Sequence, residues 1–188
     1  MRRYALNRRV FLAAASSALA LGTRASAAPI DFDARFSELL ARPVQKPQPI
    51  GDYVPARRVG SLIFLSATPA KIGSAITYPG VVGKDVDLAT GRTSARWAAL
   101  TLLEYLWNEL GGTLKPVRQV VSLTGYVASA EGFVDQAEVM NGASAVLIEV
   151  FGADVGRPTR TSVGVRHMPR NASVAVSGIV EIAEAAVR

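Results

Sequence analysis

Between Thr93 and Ala128 the hydrophobic period changes once, and that change restricts the fold more than any other feature of the chain. Trp97, Leu100, Leu103, Leu106 and Leu110 fall on or near one helical stripe, and Gly111-Gly112 follows it. The spacing predicts a helix over 93–110 with a glycine stop. Val117 to Ala128 comes next, rich in Val and carrying Leu123 and Tyr126, and predicts a long strand. A helix with one apolar stripe beside a long apolar strand must bury both faces against a second layer.

The other elements extend this pattern. Residues 53–59 and 62–68 read as two strands with Gly60-Ser61 as the turn between them. Leu62-Ile63-Phe64-Leu65 is continuously apolar, the pattern of a strand buried on both faces. A second helix is expected from about Glu131 to Phe151, with Gly142 inside it as a weak point. Arg160–His167 and Ala172–Ile182 read as strands joined through Met168-Pro169-Arg170-Asn171. The order β-β-α-β-α-β-β predicts an α+β fold, a sheet with two helices packed on one face. Residues 69–92 hold Pro69, Gly73, Pro79, Gly80, Gly83 and Gly91, and read as a long irregular segment, either a binding or interface loop or a surface excursion. Asp33–Ala41 could form two helical turns, after which Pro43, Pro47 and Pro49 favour an extended linker.

The first residues read as an address. Arg2, Arg3, Arg8 and Arg9 precede an apolar run from Val10 to Gly22, and Ala25-Ser26-Ala27 forms a small-residue cleavage site. The run of 13 residues is short against the roughly 18 expected of a membrane span. Arg8-Arg9-Val10-Phe11-Leu12 resembles the twin-arginine export motif. Residues 1–27 are therefore expected to be a signal peptide cut near Ala27, delivering the protein to the periplasm through the twin-arginine machinery. Residues 28–48 form a lead-in and Pro-rich linker, and 49–188 the domain. The formal net charge of +6 includes five arginines and no acid in residues 1–27, so the mature chain carries +1. Near neutrality, it has little long-range attraction for phosphate backbones, and nucleic acid is not an expected partner.

Cysteine is absent, which excludes a thiolate nucleophile, Cys-ligated zinc and disulfides. The single histidine, His167, excludes a multi-histidine metal site and reads as a structural strand residue. No cofactor or metal is expected. Dinucleotide, P-loop, nucleophile-elbow and zinc-protease motifs are all missing.

The order and spacing of several short pieces carry a resemblance instead. They are Pro49-Ile50-Gly51-Asp52-Tyr53-Val54, Gly60, and Leu62 through Ser66-Ala67-Thr68-Pro69. Further along come Ala95, Val120–Val127, Asn141-Gly142-Ala143-Ser144, Glu149–Gly152, and Arg160-Thr161-Ser162-Val163-Gly164-Val165 with Pro169 nine residues after Arg160. Over residues 49–182 the chain resembles the YjgF-type reactive-imine deaminases, the Rid family, also called L-PSP endoribonuclease-like. The resemblance implies a chorismate-mutase-like fold, a homotrimer, and ligand clefts between subunits. It implies that Arg160 binds a carboxylate, as a guanidinium fork suits. It also places Tyr53, Ser66 and, across an insertion, Asn141 in the same cleft. Tyr53 and Asn141 read equally well as buried or helix-stabilising groups, and Ser66 as a structural strand hydroxyl.

One departure bears on activity. The family's deaminases carry a water-activating glutamate fifteen residues after that arginine, and here Ala175 stands there, with Ser177 next on the same strand face. Neither is a general base near neutral pH. Glu138, Asp52 or a neighbouring subunit could supply one. Two readings stay open: an exported imine or enamine deaminase that hydrolyses 2-imino acids, and a catalytically silent binder of a small carboxylate or carbonyl ligand. The endoribonuclease activity named for some relatives fits less well, given the near-neutral mature charge.

Overall fold

The computed structural model describes residues 30–49 and 51–184. The expected signal peptide and its cleavage site lie outside the described residues. The elements, in order, are α1 (Phe32–Leu40), β1 (Ala56–Val59), β2 (Leu62–Pro69), β3 (Lys71–Ile72), β4 (Ala75–Ile76) and α2 (Leu88–Glu109). Then come β5 (Val117–Ala128), α3 (Gln136–Phe151), α4 (Ala153–Gly156), β6 (Thr159–Val165), a 3₁₀ turn (Pro169–Asn171) and β7 (Val174–Ile182). Five strands form one mixed sheet in the order β1-β2-β7-β5-β6, in which β5 and β6 run parallel and the other neighbours antiparallel. Helices α2 and α3 pack on one face, as the expected α+β class requires. Strands β3 and β4 make a small separate hairpin.

β5 has the expected bounds; several others move for local reasons. β1 starts at Ala56 rather than 53, because Pro55 lacks a donor and a tight turn joins Tyr53 N–H to the Gly51 carbonyl at 3.0 Å. α2 starts at Leu88 rather than Thr93, because Asp87 caps it by accepting from Thr90 N–H at 2.7 Å. That backbone bond, with the Thr90 hydroxyl second, holds the Asp87 carboxyl below its ordinary pKa. α3 starts at Gln136 rather than Glu131. Residues before it bind the loop ahead of α2 instead, with Ala130 N–H on the Val82 carbonyl and Gly132 at φ 76°. β6 runs Thr159–Val165 rather than 160–167, and β7 begins at Val174 rather than Ala172, because the chain between them tightens into the 3₁₀ turn. Gly142 does not interrupt α3. A side chain there would overlap the Arg92 carbonyl of α2, so the glycine is what lets the two helices approach so closely.

The core lies between the sheet and the helices. Val174, Val176, Val180 and Ile182 point into it from β7, against Leu100, Leu103 and Leu106 of α2 and Val146, Leu147 and Val150 of α3. The expectation that Leu62–Leu65 is buried on both faces fails in the single chain. Ile63 and Leu65 are buried while Phe64 is 42% exposed. The helices cover one face of the sheet, and Phe64, Val59 and Val163 remain open on the other.

The lead-in is also packed. Phe36 and Leu40 of α1 are fully buried in the core. Residues 42–49 form no helix or strand but are tied down. Arg42 donates both terminal nitrogens to the Glu104 carboxylate at 2.7 and 2.9 Å, and Gln45 N–H donates to the same carboxylate at 2.7 Å. Gln45 also accepts from Gly73 N–H at 2.6 Å, and the Gln48 carbonyl accepts from Lys71 Nζ at 3.1 Å. This strap joins α2 to the β3–β4 hairpin.

Candidate functional site

Two groups of expected site residues emerge, and they lie apart. The first lines a cleft of about 320 Å³. Ala67 and Pro69 form one wall from β2, and Ala175 at the start of β7 forms its floor. Gly51 and Tyr53 enter from the end of the strap, and Met168, Pro169 and Ala172 close the far side. The walls are nearly all carbon, and Tyr53 is 43% exposed. No acid lines this cleft, and Ala175 is 1% exposed. Asp52 is exposed on the chain between two lining residues but is not itself part of the wall.

The far side of the cleft is strained. Arg170 and Asn171 both take left-handed backbone, with φ of 55° and 60°. Such residues persist only where surrounding bonds over-determine them. Here Arg170 donates to the Ser74 carbonyl at 3.0 Å, and the Asn171 carbonyl accepts from Gly80 N–H at 2.7 Å. These bonds fasten the 166–171 connection to the β3–β4 hairpin and to the loop before α2.

The second group surrounds Arg160. Its guanidinium donates to Asn141 Oδ1 at 2.8 Å, Ser144 Oγ at 3.0 Å and the Ala137 carbonyl at 3.3 Å. Residues 137, 141 and 144 recur at helical spacing on one face of α3, so a single side chain reaches all three. Each acceptor is neutral, so the fork is oriented, and among the described residues no acid forms an ion pair with it. Asn141 Nδ2 in turn donates to Glu138 Oε2 at 3.1 Å.

Strand parity separates the two groups. Arg160 lies opposite Leu123, which is buried toward the helices. Ala175 lies opposite Tyr126, three residues further along β5, which pairs in turn with Val163 of β6. Side chains alternate along a strand, so Arg160 and Ala175 project from opposite faces of the sheet. One chain alone does not bring Arg160 to the cleft. Ser66 belongs to neither group. Its hydroxyl donates to the Val54 carbonyl at 2.7 Å and holds the segment carrying Tyr53 against β2.

Some lining residues carry no recognisable chemistry in sequence, Met168 and Pro169 among them. Ser144 and the Ala137 carbonyl were within reach, because their spacing from Asn141 along a helix marks one face. Among the described residues no cluster of three or more acids or histidines could hold a metal ion.

The arrangement of strands and helices and the sequence agree with known proteins. The family model described as "YjgF/chorismate_mutase-like, putative endoribonuclease" matches residues 37–182. This chain belongs to the YjgF/chorismate-mutase-like family. The match begins inside α1, twelve residues ahead of the expected start at 49, and takes in the buried Leu40. The chain is 35% identical to Protein TCP17 of Trypanosoma cruzi over 136 residues, covering 71% of this chain and 83% of that protein. It is 36% identical to protein Atu1372 of Agrobacterium tumefaciens, a crystal structure of unknown function. That superposition has a TM-score of 0.71 and covers 80% of this chain and 92% of the other. A crystal structure from Shewanella oneidensis, named as a putative endoribonuclease, shares the YjgF-like fold at 24% identity and a TM-score of 0.73, covering 80% and 99%.

Proposed function

We propose that this YjgF-like protein binds a small carboxylate with an apolar body, at clefts formed between subunits of a homotrimer. Arg160 takes the carboxylate, and a neighbouring chain's cleft, walled by Tyr53, Ala67 and Ala175, takes the body. The observation that carries this reading is the state of Arg160, which three neutral acceptors aim and, among the described residues, no acid pairs with. A guanidinium held that way is prepared for a planar anion. The carbon-lined cleft without an acid favours binding over hydrolysis. The export expected from the N-terminus would make this a periplasmic activity.

Calorimetry on the mature protein with small 2-oxo acids tests the reading. Removing one partner of a desolvated charge pair costs roughly 2–5 kcal/mol, so Arg160→Ala should weaken binding well over tenfold. Arg160→Lys should weaken it too, since an ammonium lacks the fork. Unchanged affinity in both variants would place the site elsewhere.

The assembly is tested separately. Phe64, Val59 and Val163 on the helix-free face need cover, and the parity of Arg160 and Ala175 needs a second chain. Light scattering on the mature protein should return three times the chain mass. A monomer at micromolar concentration would sink both the trimer and the shared cleft.

A further inference from the structure

The back of the cleft is sheet, from β2 and β7, but its two sides are loops. One is the end of the strap with Gly51 and Tyr53, and the other is the connection with Met168, Pro169 and Ala172. Among the described residues no hydrogen bond joins these two sides directly. Each is bonded instead to residues 70–80, which contain the β3–β4 hairpin. On the strap side, Gly73 N–H donates to Gln45 Oε1 at 2.6 Å, and Lys71 Nζ donates to the Gln48 carbonyl at 3.1 Å, three residues before Gly51. Lys71 is buried, with its ammonium 5.3 Å from the Tyr105 ring centroid. Burying an ammonium is costly unless it is bonded, so this tie is a fixed part of the fold. On the other side, Arg170 donates to the Ser74 carbonyl at 3.0 Å, Ser173 Oγ to the Tyr78 carbonyl at 2.7 Å, and Gly80 N–H to the Asn171 carbonyl at 2.7 Å. Thr77 N–H closes the hairpin at its base on the Ala70 carbonyl at 3.1 Å, so one closed unit carries both sets of ties.

We infer that the hairpin is a yoke that sets the width of the cleft, with Gln45 and Arg170 as positioning residues on its two sides. Neither side shifts without moving the hairpin, and the hairpin does not move without shifting the other side. The left-handed backbone at Arg170 and Asn171 fits this role, because the bonds that hold that strain in place come from the yoke and the residues that follow it. Width matters in a carbon-lined cleft, where fit rather than polar contact separates one ligand body from another. The selection of ligands by width rests on the reading that the cleft takes the body of a ligand. The coupling of the two sides does not.

Residue-resolved amide hydrogen exchange on the full mature protein, without ligand, tests the coupling. The reporters are Ser66 N–H, bonded to the Pro55 carbonyl at 2.9 Å beside the strap end, and Ala172 N–H, bonded to the Pro169 carbonyl at 3.3 Å. Losing one hydrogen bond should speed exchange roughly two- to tenfold on the far side of the cleft, at Ala172 in Gln45→Ala and at Ser66 in Arg170→Ala. Arg170→Lys keeps a donor and should restore much of the protection at Ser66. Amides of β5 report global opening and should not change. Faster exchange confined to the altered side, or an equal gain in β5, overturns the yoke. Calorimetry with pyruvate and 4-methyl-2-oxopentanoate, which differ in the size of the body, tests the selection. Both alanine variants should weaken the larger ligand and leave pyruvate unchanged, and a preference unmoved in both overturns the claim that the yoke sets the width. If exchange is coupled but neither ligand binds the unmodified protein, the yoke stands and the cleft reading falls. If both ligands bind and exchange stays local, the cleft reading stands and the yoke falls.

Discussion

Glu104→Ala is expected to destabilise the protein by about 3–5 kcal/mol, the usual effect of stripping one partner from a buried ion pair. For a domain of this size that corresponds to a drop in Tm of about 6–20 °C. The side chains of Glu104 and Arg42 are 4% and 16% exposed, and the carboxylate takes three hydrogen bonds. Removing it leaves the Arg42 charge and Gln45 N–H without their acceptor. Arg42 Nε is already buried without a partner, so the guanidinium has little left to hold it. Glu149→Ala is the control. Its ion pair with Arg96 is 34–43% exposed, and pairs of that kind contribute about 0–1 kcal/mol. Equal melting shifts in the two variants would mean that the strap is not held by its charges. Glu104→Gln should fall between them, because it keeps one acceptor and loses the charge.

The second large effect is on chemistry. Purified protein is expected to hydrolyse 2-imino acids about 10²–10⁴-fold more slowly than a relative that carries an acid at the position of Ala175, the usual contribution of general acid–base assistance. Ala175→Glu should recover part of that rate, since the new side chain would start from the cleft floor and enter a space of about 320 Å³. An amino-acid oxidase can generate the imine in place, and a trapping agent can report its lifetime. Full activity in the unmodified protein would overturn the prediction and show that another group, with Glu138 the first to replace, activates the water. A silent Ala175→Glu variant is the weaker result, because a carboxylate misplaced by about an ångström still fails.

How much of this was legible in the sequence follows from how local each signal is. β5 and the C-terminal ends of both long helices could be read because glycines and period changes are written within a few residues. The start of α2 was missed although Asp87 and Thr90 are a local capping signal, because the Gly-rich stretch before it suggested continued loop. The exposure of Phe64 could not be read, since an apolar run looks the same whether its second face is covered by helices or by another chain. The contact between Arg42 and Glu104 spans 62 residues and has no signature at either end. For the site, the residue types were visible and their division was not. Placing Arg160 and Ala175 on opposite faces needs the register of β5 against both β6 and β7, and register is a property of pairing rather than of either strand alone.

That division has a thermodynamic consequence. On the proposed reading each bound molecule is shared by two chains, so occupancy and assembly become a single linked equilibrium. Ligand that binds only the assembled form draws chains together by mass action, and dilution that separates the chains also releases the ligand. Apparent affinity would then rise with protein concentration, and a saturating ligand would shift dissociation to lower concentration. In a compartment where the protein is scarce, the ligand itself would set how much of it is assembled.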